Sequence, residues 1–110
     1  MANTYKNAMF DLTNTNATTV YTVPTNATSI VKAIQTTNIH SGAIDVTVFT
    51  VDSSNSNTEF EVAMVSLGSK TVENLAKSSM VLESGDAIKI QAATADKIAG
   101  IVSVLEITRE

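Results

Sequence analysis

The residues able to do chemistry are few, and their spacing decides what they can do. His40 is the one histidine, followed by Ser41 and Gly42. A catalytic histidine needs a nucleophile within hydrogen-bond reach and an acid that orients the ring. Ser41 is its sequence neighbour, and neighbours along a strand point to opposite faces, so His40 reads as a surface turn residue. A cupin-like metal site needs several His and Glu ligands converging inside a barrel, which one histidine cannot supply.

The carboxylates fare no better. Glu59 and Glu61 share one face of an expected strand, and paired carboxylates can hydrolyse glycosides. Such sites sit in clefts lined by aromatics, and this chain has no Trp and only Tyr5, Tyr21, Phe10, Phe49 and Phe60. The pair reads as a solvated strand face. Asp52, Asn55 and Asn57 offer oxygen ligands for calcium, but the stretch lacks the glycine and the terminal glutamate of an EF-hand loop. Gly42, Gly68, Gly85 and Gly100 are isolated, so no phosphate-cradling loop is written here. The sequence predicts no catalytic residue, no cofactor and no bound metal. The chain is expected not to be an enzyme.

The elements around these residues are strands. Runs rich in Val, Ile, Thr and Tyr recur about every ten residues with turn residues between them. Strands are predicted over 5–12, 18–23, 29–39, 43–51, 58–65, 79–82, 87–92 and 98–107. Pro24 ends the second, because proline cannot donate to a ladder. In the fourth, Ile44, Val46, Val48 and Thr50 share a face; in the fifth, Phe60, Val62 and Met64 oppose Glu59 and Glu61. Residues 71–77 suit one helical turn, a short strand or an ordered loop equally. The last strand is apolar on both faces, as a central or interface strand should be. Two echoing runs, Asn16-Ala17-Thr18 and Asn26-Ala27-Thr28, read as similar turns before strands rather than as glycosylation sites or a repeat. The predicted fold class is all-β, an antiparallel β-sandwich of jelly-roll type with seven or eight strands. One domain should span residues 1–110, with residues 1–12 as a candidate N-terminal arm.

Charge narrows the partners. The 110 residues hold 7 Lys and Arg against 11 Asp and Glu, a net charge of −4. Lys6, Lys32, Lys70, Lys77, Lys89, Lys97 and Arg109 are scattered, and phosphate backbones reward clustered bases, so no nucleic-acid partner is expected. No apolar stretch nears the roughly 20 residues of a membrane span, and no membrane partner is expected. The first residues lack a basic region followed by an apolar run, so synthesis in the cytoplasm without a signal peptide is expected. With no cysteine, neither a disulfide nor a thiolate metal site reinforces the core. Charged residues make up only 16% of the chain, which favours packing against neighbours.

The stretch Val20-Tyr21-Thr22-Val23-Pro24-Thr25-Asn26-Ala27-Thr28-Ser29-Ile30-Val31-Lys32-Ala33-Ile34 and the later Met80-Val81-Leu82-Glu83-Ser84-Gly85-Asp86-Ala87-Ile88-Lys89-Ile90-Gln91-Ala92, with Val104-Leu105-Glu106-Ile107, resemble short β-sandwich virion proteins of tailed bacteriophages, notably phages of aquatic bacteria. The resemblance implies a virion structural protein that forms homo-oligomers and binds the major capsid protein or other virion proteins. It implies a capsid decoration or cement role first, and a tail, neck or fibre component, with receptor binding among its roles, second. A carbohydrate-binding module is a third class, disfavoured by the scarce aromatics. Tyr5, Met9 and Phe10, in the candidate arm, are the candidate protein interface.

Overall fold

Alternating β-branched residues build the two layers of this protein. The structure, a computed structural model, describes residues 2–109; Met1 and Glu110 of the expected 1–110 domain lie outside the described residues. Nine strands follow in order: β1 Ala2–Leu12, β2 Thr18–Thr22, β3 Ala27–Asn38, β4 Ile44–Asp52, β5 Thr58–Leu67, β6 Val72–Asn74, β7 Met80–Leu82, β8 Ala87–Ala92 and β9 Ile98–Thr108. One sheet runs β1-β9-β3-β6, with β7 also on β3; the other runs β2-β8-β4-β5. Every pairing is antiparallel. Apart from the β4–β5 hairpin, successive strands cross between the sheets or share the β3 edge, which is the double Greek-key order of a jelly roll. The expected sandwich is therefore present. Strands of 11 and 12 residues give it a 48 Å long axis.

The ambiguous stretch 71–77 is a strand interrupted. β6 pairs with Gln35–Thr37 and β7 with Ser29–Val31, so together they fill one strand position on the edge of β3. Between them Leu75 and Ala76 are buried. Asn74 holds that break, its Oδ1 accepting from the N–H groups of Ile34 at 2.9 Å and Ala76 at 3.0 Å. The two Asn-Ala-Thr runs stand at the starts of β2 and β3, and Asn26 takes the left-handed φ of 64° that asparagine tolerates.

The core is the inner face of both sheets. Val31, Ile34, Ile98, Val102 and Val104 face Ile44, Val46, Val48, Ile88 and Ile90, all essentially inaccessible to solvent. Each such side chain contributes about 1.5–3 kcal/mol by leaving water. On β4 the expected shared face of Ile44, Val46, Val48 and Thr50 is the inner one, with Thr50 half-buried opposite Ile88. On β5 the prediction fails. Between Val48 and Phe49 the register shifts, leaving Val62 as an extra residue. That bulge swaps the faces beyond it: Ala63, Val65 and Leu67 turn toward the core and Met64 outward, while Phe60, before the bulge and opposite Thr50, stays on the inner side, where it is still exposed.

Residues 2–12, expected as an arm lying on a neighbour, instead pair in unbroken register with β9, from Ala2 opposite Thr108 to Leu12 opposite Ile98. Alternate residues of this segment, Ala8, Phe10 and Leu12, face the core, which holds it in its own sheet.

Candidate functional site

The residues first tested for chemistry serve turns. The His40 N–H donates to Asn38 Oδ1 at 2.8 Å and its carbonyl accepts from Ser69 Oγ. Asp52 Oδ1 accepts from Ser54 N at 3.0 Å and Ser54 Oγ at 2.6 Å, capping a 3-10 turn at Ser53–Asn55. Glu59 forms an ion pair with Lys89 at 2.7 Å across the exposed face of the β2-β8-β4-β5 sheet. Among the described residues, no group of three or more His, Cys, Asp or Glu is placed to hold a metal.

One titratable group does stand out inside the sandwich. An extra residue at Val20 shifts the register of β2 against β8, and Tyr21 turns inward from the second sheet. Its hydroxyl lies 2.6 Å from both Ser29 Oγ on β3 and Glu106 Oε2 on β9. Burial, then the hydrogen bond to the Glu106 carboxylate, push the Tyr21 phenol up to about 12. Lys6 Nζ approaches the other Glu106 oxygen at 4.0 Å. This network ties the sheets together, and its carboxylate is occupied by structural partners.

The outer face of the β1-β9-β3-β7 sheet differs from everything else on the surface. Strand register aligns Tyr5 with Leu105, Leu105 with Ile30, and Ile30 with Val81, an apolar row across all four strands. Two rows along, Met9 stands opposite Ile101. Tyr5, Met9 and Val81 are exposed at 81%, 76% and 66%, while Ile30, Ile101 and Leu105 are half-buried by their neighbours. A shallow groove of about 400 Å³ crosses this face beside Tyr5, Asn7, Lys32 and Ile101. Lys32 is the extra residue where β3 shifts register. The charges on or beside the face are few and basic: Lys32, Lys6 at the groove, and Arg109, whose guanidinium donates to Thr28 Oγ1 at 3.1 Å at one end. The opposite outer face carries Asp45, Glu59, Glu61 and Lys89.

The candidate interface is thereby divided. Tyr5 and Met9 stand on this sparsely charged face. Phe10 does not: it points inward, half-buried against the core, with its ring over Gly100, the residue opposite it on β9. The strand period of two forces that split, since Phe10 shares its face with the buried Leu12. Sequence reasoning missed Ile30, Ile101, Leu105 and Val81. The signal for half of them was the apolar outer face of the last strand.

No protein-family model and no curated protein matches the chain. Solved structures do. One is a chain from the Bacillus endospore appendages, a family of disulfide-linked pili, at TM-score 0.54 and 12% identity over 98% of this chain and 89% of that one. Another is from the T13 particle of infectious bursal disease virus (IBDV), at TM-score 0.51 and 12% identity over 94% of this chain. This chain spans 30% of that viral chain's length. At these identities the likeness is one of fold: a β-rich sandwich that also occurs in a pilus protein and a viral particle.

Proposed function

We propose that the chain is a non-enzymatic virion structural protein of a tailed bacteriophage, a capsid decoration protein that binds and stabilises the shell. The observation that carries this reading is the sparsely charged, apolar-rich face around Tyr5, Leu105, Ile30 and Val81. Monomeric proteins rarely expose a contiguous apolar surface beyond a few hundred Å², and larger ones mark binding sites. Three long strands, β1, β9 and β3, each about 4.8 Å wide and about 36 Å long, give this face roughly 500 Å², with the three-residue β7 at its edge. Desolvating it strips little charge from water, so apposition to another protein surface gains apolar burial at low electrostatic cost. The viral-particle likeness supports the class, and the local motifs shared with phage virion proteins support the phage assignment.

Two measurements test it. A protein inventory of the virion should find the chain in hundreds of copies, and particles lacking it should lose heat or osmotic stability. A handful of copies would instead assign it to the tail, neck or fibre. That second reading is favoured by the endospore-appendage likeness, which covers most of both chains. Having no cysteine, this chain would build any filament without disulfide links.

A further inference from the structure

We propose that two copies of the chain pair through the free edge of β1, antiparallel about a two-fold axis at Asn7. The proposal deepens the assembly reading above by naming the first partner, a second copy of the chain.

An exposed sheet edge is a template for further pairing unless it is short, bulged, charged or interrupted. The other edges of this sandwich are protected. β6 and β7 hold three residues each. β2 holds five, carries a register shift, and is followed by Pro24. β5 is bulged at Val62 and carries Glu59 and Glu61. β1 is the least protected: it is 11 residues long, unbroken in register and free of proline, with Asp11 near its end as its one acidic residue. Its single base, Lys6, sits on the inward side, near Glu106 of its own chain.

The sequence of β1 also complements itself. Antiparallel pairing centred on Asn7 sets Tyr5 against the partner's Met9 and Met9 against the partner's Tyr5. These are the most exposed large apolar side chains among the described residues, and sulfur–aromatic contact is favourable. The same register sets Asn3 against Asp11 and Lys6 against Ala8, with no like charges opposed. An 11-residue ladder supplies about ten backbone hydrogen bonds, the number a typical specific interface carries.

The consequence is a continuous outer face. One copy offers roughly 500 Å², below the roughly 800 Å² per partner of a standard interface, whereas the pair offers about 1,000 Å². Dimerisation thus makes a surface large enough to hold a shell.

The test uses the full chain, whose lack of cysteine makes any introduced thiol unique. Asn7 is exposed and opposes Ser103 on the outer face, so its replacement leaves the monomer intact. At a two-fold axis in a ladder, opposed Cα atoms lie within disulfide range. N7C should cross-link to a dimer under mild oxidation, while the β5-edge control S66C should not. Sedimentation across a concentration series should show a wild-type dimer whose dissociation constant N7K weakens about fivefold, by opposing two lysines. A wild-type monomer, any species other than a dimer, or N7C cross-linking no faster than S66C overturns the proposal. A monomer that still binds virion shells removes the two-fold and leaves the assembly reading standing. A dimer that binds no virion protein does the reverse.

Discussion

Tyr21 donates a 2.6 Å hydrogen bond to Glu106 across the interior of the sandwich, joining residues 85 positions apart and on different sheets. With Ser29 it forms a polar tie within a largely apolar core. Removing one member leaves the others short of a partner in a poorly solvated place. Tyr21→Phe should therefore cost about 1–3 kcal/mol, read as a lowered denaturation midpoint with unchanged slope.

The same phenol sets an alkaline limit. It is held up to about 12 in the fold against 10.0 for an ordinary tyrosine, so the unfolded chain releases this proton first as pH rises. Its contribution is complete below pH 10 and is lost progressively between pH 10 and 12. Melting temperature followed through that window should fall less steeply in Tyr21→Phe than in the wild type. Identical slopes would show that Tyr21 is not the group responsible.

Gly100 is fixed by close approach. A Cβ there would collide with the Gln35 carbonyl oxygen and come within 2.7 Å of the Phe10 ring. The backbone of β3 cannot yield without disturbing its ladder with β9, so Gly100→Ala should destabilise by about 1–3 kcal/mol. Adding Phe10→Leu should recover only part of that loss in thermal melts, since the carbonyl contact remains.

Asp86 clamps two loops. Its carboxylate accepts from Ser53 N at 3.0 Å, Ser53 Oγ at 3.1 Å and Glu83 N at 2.9 Å. This ties the turn after β4 to the turn before β8. Asp86→Ala removes the acceptor from three donors and should cost about 2–3 kcal/mol, with faster amide exchange in those two turns.

Much of the architecture was legible. Strand periodicity and turn residues located the strands, because a sandwich needs one apolar face per strand and turn chemistry between them. The failure on β5 has a definite cause. The register shift at Val62 inserts one residue, and the period-two rule then assigns the following side chains to the wrong face. That is how Phe60, Val62 and Met64 read as sharing one face. The interface was half legible for another reason. Tyr5 and Met9 stand out as apolar residues in a polar segment, but the row through Leu105, Ile30 and Val81 exists only once residues far apart in sequence are aligned by register.

Charge placed on that face should disrupt assembly without disturbing the fold, because Val81 and Met9 are exposed at 66% and 76%. Val81→Lys and Met9→Lys should each shift the melting midpoint by less than about 0.5 kcal/mol equivalent and weaken attachment to virions at least about tenfold, the effect of burying an unpaired charge. Met64→Lys, on the other sheet, should leave attachment intact.

The most direct test of the assembly surface is a thiol footprint on virions carrying single-cysteine variants. Val81→Cys and Met64→Cys should react equally with maleimide in the free protein, both side chains being exposed. In the assembled particle the Val81→Cys thiol should be shielded while the Met64→Cys thiol stays reactive. Equal labelling of both in the particle, or protection of Met64→Cys alone, would contradict the assignment of the β1-β9-β3-β7 face as the surface through which this protein assembles.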